Sequence, residues 1–197
     1  MKFETYYRLL LHNMKGELVK DSGLISVQSY VLQFLQSLEG IFDGISKTAK
    51  DINNTDQKIT GVSLACSNDL RADAGVGIDT HGIVVGTNAG ATAEANDNYK
   101  LDTKILHGSV VAGKLNYQAV TLVAPSEIAG NIDFSVSRPL INDSGGDITV
   151  KEIGIIVDSM AVSPNHYYFL IMRDVVADFA VTNGFTLTVV YTLRTTV

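Results

Sequence analysis

The chain has 197 residues, 46% of them hydrophobic and 18% charged, and a formal net charge of -6, enough for one domain with an appendage and a buried core. Its 15 basic residues are scattered, without the clustered stripe that displaces counterions from nucleic acid, which argues against a nucleic-acid partner. No apolar run reaches the roughly 20 residues that span a bilayer, Met1 to Thr5 lack the pattern of a secretory leader, and a lone cysteine, Cys66, has no intrachain partner, so the expectation is a soluble, disulfide-free protein made in a cytoplasm.

Phe3 to His12 is rich in β-forming and apolar side chains, and Asn13-Met14-Lys15-Gly16 is a turn that returns the chain through Glu17 to Lys20 as a hairpin. The period then changes. From Ser26 to Phe42, apolar residues including Val27, Val31, Phe34, Leu35, Leu38, Ile41 and Phe42 recur at steps of three and four. That spacing predicts an amphipathic helix, capped by Ser26 or Ser29 and ending at Gly40 or Gly44. Lys47 to Gln57 is polar and reads as an exposed loop. Beyond it, runs rich in Val, Ile, Thr, Phe and Tyr alternate with Gly, Asn and Asp turns. Strands are expected at Ile59 to Cys66, Gly82 to Gly86, Ile105 to Val123, Asn131 to Ile141, Ile148 to Val157, Tyr167 to Arg173 and Phe185 to Arg194. In the last, Phe185, Leu187, Val189, Tyr191 and Leu193 share one face. Asn183-Gly184 and Ser144 to Asp147 supply turn residues. Short strands without intervening helices predict a mainly β fold, an antiparallel β-sandwich or jelly roll carrying an N-terminal hairpin and one amphipathic helix. Residues 1–57 form the hairpin, helix and loop, and 58–197 the sandwich.

Little in this sequence has the spacing of catalytic chemistry. Gly82 to Gly90 is a strand running into a glycine loop, but Gly90 is followed by Ala91-Thr92-Ala93 rather than the Lys-Ser or Lys-Thr of a phosphate loop. No apolar helical face begins after it, as a dinucleotide loop requires. The histidines, His12, His81, His107 and His166, are far apart, and Asp79 with His81 reads as a polar strand edge. Asp97, Asn98 and Asp102 offer oxygens without the spacing of a calcium loop. Ser109 near His107 lies in no nucleophile motif. Cys66 reads as a small buried thiol in a strand. Glu152 and Asp174 sit in apolar strands, where a carboxylate needs a partner; Lys151, Arg138 and Arg173 are the candidates. No cofactor, metal or catalytic residue is expected.

From Gly82 onward the sequence has an ordered set of motifs. "GIVVGTNAG" leads to "NDNYKLDTKILHG", then to "FSVSRPLINDSGGDITVKEIGII", "YYFLIMRDVV" and finally "GFTLTVVYTLRTTV". This order resembles tailed-bacteriophage virion proteins, in which a strand ending in "VVGT" precedes a "Y-x-L" segment, an "N-x-SG-x-x-ITV-x-E-x-G" strand, an "RD" strand and a terminal strand ending in "YT". The resemblance implies a non-enzymatic structural part of the virion, in the head–tail neck, tail, head appendage or fibre collar. It implies packing on copies of itself, as a homo-oligomer, and on other virion proteins. The assembly candidates are Val31, Phe34, Leu35 and Leu38 on the helix and Glu152, Arg173 and Asp174 on the strands, with Arg173 and Asp174 clamping a loop or a subunit. Gly154 allows a close backbone approach. One alternative is a receptor- or carbohydrate-binding module using Tyr99, Tyr167 and Tyr168 as exposed loop aromatics. Another is a jelly-roll enzyme.

Overall fold

The computed structural model describes residues 2–27, 30–59, 70–162 and 165–196. Cys66, Ser29 and most of the strand expected over Ile59 to Cys66 lie outside the described residues. The elements are β1 (Lys2–His12), β2 (Leu18–Asp21), β3 (Ile25–Ser26), α1 (Leu32–Asp43), β4 (Lys47–Lys50), β5 (Asp56–Ile59), β6 (Gly82–Gly86), β7 (Asn116–Tyr117), β8 (Thr121–Ile128), β9 (Asn131–Ile141), β10 (Ile148–Val162), β11 (Asn165–Val181) and β12 (Thr186–Thr196). All pairings among these strands are antiparallel. The larger sheet has seven strands, ordered β2-β1-β12-β9-β7 with β3 also on β1 and β8 also on β9. The second runs β11-β10-β6, and β4 pairs with β5. The fold is mainly β with one helix among the described residues, as the composition of the strands predicts.

Alternation builds the larger sheet. In β1 the side chains of Thr5, Tyr7, Leu9 and Leu11 are buried while their neighbours are not. In β12, Leu187, Val189 and Tyr191 face the same way and pair across from Leu11, Leu9 and Tyr7. The first and last strands are therefore neighbours, and segment 1–57 shares a sheet with segment 58–197. The β1–β2 turn closes on the Asn13 side chain, whose Oδ1 accepts from Lys15 N and Glu17 N. One hydrophobic cluster joins Leu9, Leu140 and Val189 of the larger sheet to Val84, Ile153 and Phe169 of the smaller one, a sandwich-like arrangement.

In β10 every residue from Glu152 to Ser159 is buried, because both faces of this central strand are covered. A Cβ at Gly154 would lie 2.7 Å from the Met172 carbonyl oxygen and 3.1 Å from a Leu101 methyl, so the expected close approach is present.

Several boundaries differ from the sequence reading. The helix begins at Leu32, not Ser26, because Ile25 and Ser26 pair with Tyr7 and Tyr6, and Tyr30 and Val31 bond β11 through Met172 and Ile171. Ile25 and Ser26 are thus held by β1, and Tyr30 and Val31 by β11. The expected loop at Lys47 to Gln57 is a hairpin, β4 and β5, whose turn is closed by Asn53 N and Thr55 N donating to Asp51 Oδ1. Ile105 to Val123 is mostly irregular, holding only β7 and the start of β8, and β10 and β11 run longer than expected.

Replacing Gly154 with alanine forces β10 away from β11. The expected loss is about 1–3 kcal/mol of stability, the usual cost of overpacking a dense interior, measurable as a lower urea midpoint at unchanged m.

Candidate functional site

Glu152 of β10 and Arg173 of β11 are diagonal cross-strand neighbours in the smaller sheet, opposite Val175 and Gly154 respectively. Their side chains are 0% and 1% exposed, and Arg173 Nε donates to Glu152 Oε2 at 3.0 Å. Each has further partners. Glu152 accepts from the backbone of Asn88 (3.3 Å), Asp102 (3.0 Å) and Thr103 (2.8 Å). Arg173 donates through Nη1 to Ala93 O and Asn98 Oδ1, and through Nη2 to Thr92 O and Asn88 Oδ1. All five guanidinium N–H groups are engaged. The pair is a clamp on the loop that follows β6.

The same contacts explain why the glycine loop is not a phosphate cradle. Its amides already face carboxylates of the chain itself: Asn88 N meets Glu152, and Gly90 N donates to Asp102 Oδ2 at 2.6 Å. Hydrogen bonds from Thr92 and then from Gly90 hold the Asp102 carboxyl below its ordinary range. A Cβ at Gly86 would sit 2.6 Å from Thr103 O and against the Glu152 side chain, so the glycine there makes room for the clamp. Thr92, Asp97, Asn98, Tyr99 and Asp102 border an open cleft of about 290 Å³. Among the described residues no group of three or more His, Cys, Asp or Glu converges as a metal site.

The clamped loop in turn positions the helix. Leu32 N, one of the unpaired donors of the first turn, donates to Asn96 O at 2.8 Å, while Val31, the 1%-exposed cap residue, offers no side-chain cap. Glu94 Oε1 accepts from Val175 N at 2.6 Å, fixing the loop to β11 on its far side. At the other end Gly44 takes a left-handed conformation (φ 69°) and closes on Gly40 O.

Helix α1 is turned opposite to an ordinary amphipathic helix. Its inward face is polar and small: Gln33, Ser37 and Gly40, spaced i, i+4, i+7, are buried. Gln33 Nε2 donates to Lys50 O, Gln36 Nε2 to Thr48 O, and Ser37 Oγ to Gln33 O. Its apolar stripe points outward. Leu35 is 61% exposed, Ile41 52% and Phe42 86%, and Phe34 and Leu38 are half-buried. Phe34 stacks on Tyr30 at 4.5 Å. Between this stripe and the sheet lies an entirely apolar groove of about 700 Å³ lined by Phe3, Tyr30, Phe34, Leu35, Leu38 and Leu193. Phe3 and Leu193 are on the face of the sheet that carries Tyr7, Leu9 and Tyr191, so the groove is the end of the core that the second layer leaves open.

Five of the seven sequence candidates fall into two sets. Phe34, Leu35 and Leu38 meet at the groove, and Glu152 with Arg173 forms the clamp, while Val31 is buried in the core. Asp174 points elsewhere, accepting from the Tyr191 hydroxyl at 3.2 Å between the sheets. Burial, and then the Asp174 charge, raises the Tyr191 phenol well above its ordinary value. Lys151 pairs with Asp178 instead of Glu152. Tyr167 and Tyr168 are in β11, as the expected strand from Tyr167 has them, and pack against the core rather than standing on a loop as the binding-module alternative requires. Ser109 bonds Asp143, and His107 Nδ1 accepts from Tyr117 N. Sequence reasoning missed Phe3, Tyr30 and Leu193 as groove walls; the Gln33, Ser37, Gly40 spacing was the available sign of the helix orientation.

Arg138 is a second buried arginine, 0% exposed, and it donates to the carbonyls of Gln118, His81, Ile83, Gly75 and Ile78. Its guanidinium also stacks 4.7 Å over Tyr117. Burial lowers its pKa to about 10, so it stays charged at neutral pH. It holds residues 75–83 as Arg173 holds 88–98.

Arg173→Met strands the Glu152 carboxylate in the interior and is expected to cost about 3–5 kcal/mol in urea unfolding. Adding Glu152→Gln to that variant removes the stranded charge, so the double variant should unfold at higher urea than Arg173→Met alone. A second expectation concerns acid. Burial holds the His81 imidazole, stacked on Tyr168, below its ordinary 6.5. The unfolded chain therefore takes up the proton first, and the contribution is fully present above about pH 6.5 and lost as pH falls through the folded value. The melting temperature should drop between pH 7.5 and 5.5, and His81→Phe should make that slope shallower. Comparisons with protein-family models, curated proteins and solved structures find no match to the chain.

Proposed function

We propose that this chain is a structural, non-enzymatic component of a tailed-phage virion, in the neck, tail or head appendage, which assembles through the outward apolar face of α1. The motif order from "GIVVGTNAG" to "TLRTTV" supports the virion assignment as a resemblance. The observation that carries assembly is the helix itself. A lone helix on a sandwich ordinarily turns its apolar stripe to the core; here Gln33, Ser37 and Gly40 are inside and Leu35, Ile41 and Phe42 are in solvent. A contiguous apolar patch of this kind marks an interaction surface. The clamp beneath it gives that surface a fixed pose, since Glu152 and Arg173 hold the loop that receives the first amide of the helix. The building block is rigid where it is buried and adhesive at one end.

Light scattering at two protein concentrations, with negative-stain images, should show discrete symmetric oligomers for the natural chain. Leu35→Asp with Leu38→Asp should give a monomer with unchanged circular dichroism, because these side chains face the groove rather than the core. An antibody against the chain should label purified phage particles from a culture carrying the sequence. Unaltered association of the double variant, or unlabelled particles, overturns the corresponding half of the reading.

A further inference from the structure

We infer that the occupant of the apolar groove is a second copy of this chain, bound about a two-fold axis that passes near Leu38 with the two α1 helices antiparallel. This rests on the assembly reading above and names its partner. Three observations favour a self-contact. First, the stripe carries both a hole and a knob. The groove is walled by Phe34, Leu35 and Leu38, and two exposed apolar side chains, Ile41 and Phe42, follow two turns after Phe34 and Leu35. At 1.5 Å per residue the two lie about 10 Å apart along one helix face. Inverting the helix about Leu38 places Phe42 of each copy over the Phe34 position of the other, and Ile41 over Leu35. That reciprocity is the condition for an isologous contact.

Second, the area is that of a dimer interface. Phe3, Leu35, Ile41 and Phe42 are each more than half exposed. With the half-buried groove walls, and large apolar side chains at about 150–200 Å² each, they offer on the order of 600 Å² per copy. A standard interface buries about 800 Å² per partner including its polar rim.

Third, the face does not repel its own image despite the net charge of -6. Lys2 and Glu4, beside Phe3, and Arg194, beside Leu193, alternate onto the opposite sheet face. They are closed in pairs, Lys2 with Glu4 and Arg194 with Asp133, and Glu39 of the helix pairs with Lys47. No excess of one sign crosses the proposed axis from these groups.

The test is oxidative cross-linking of full-length variants in a Cys66→Ser background, which leaves the introduced thiols as the only ones. Leu38→Cys should form a disulfide-linked dimer, because its copies meet on the axis. Leu35→Cys or Ile41→Cys alone should not link, since equivalent positions would be about 9 Å apart along the helix. The mixture of those two variants should form heterodimers. The Cys66→Ser parent should keep the light-scattering mass and melting temperature of the natural chain. Linking through Leu35 alone, or rings of more than two copies without Leu38 linkage, overturns the two-fold pairing while leaving assembly intact. A natural chain that stays monomeric at about 100 times the concentration expected for micromolar pairing also overturns it; antibody labelling of particles then decides separately whether the virion reading stands.

Discussion

Two opposite charges withdrawn completely from water, on Glu152 and Arg173, set the main constraint on this structure. Either alone in the interior would cost several kcal/mol, and their mutual attraction offsets this only when the remaining lone pairs and N–H groups also find partners. The chain meets that demand with one continuous segment. Residues 88–103 supply backbone amides to the carboxylate and carbonyl or amide oxygens to the guanidinium. A segment with few apolar anchors is thereby given one conformation. The helix that leans on it through Asn96 inherits that definition.

Arg138 solves the same problem differently. Its five N–H groups converge on backbone oxygens of residues 75–83, which lead into β6, and of Gln118, with Tyr117 as a lid. The two arginines lie in different sheets and flank β6, one holding the chain that enters it and the other the chain that leaves. Irregular backbone between residues 75 and 103 is thus organised from within by cations, in place of a secondary-structure ladder. Neutral carbonyls suffice for one because each is a dipole already oriented by its turn.

How far the sequence reveals this depends on the range of the interaction concerned. Strands β1, β9 and β12 were legible because two-residue alternation is local and strong, as Tyr7-Leu9-Leu11 and Leu187-Val189-Tyr191 illustrate. The Glu152–Arg173 pair was legible as a need: a carboxylate in an apolar strand, with Arg173 among its candidate partners. The helix start was not, because Ser26, Tyr30 and Val31 follow the helical period yet are captured by β1 and β11, partners distant in sequence. Ile105 to Val123 misled for a related reason. Ile105 and Leu115 are buried one at a time beneath irregular backbone, so apolar content there reflects anchoring and not strand pairing. The orientation of α1 escaped as well, since a hydrophobic stripe specifies a face without saying what covers it.

The pairing of β1 with β12 has a consequence for synthesis. Eleven register pairs join Lys2–His12 to Thr186–Thr196, almost the greatest separation this sequence allows. While the ribosome works through the intervening residues, β1 has only β2 and β3 beside it, and its other edge stays open. Zipping that edge is a late, high-contact-order event, slow compared with closing hairpins such as β10–β11. Until then the nascent chain presents an unpaired edge and an apolar face, the two features that recruit holding chaperones in the cell.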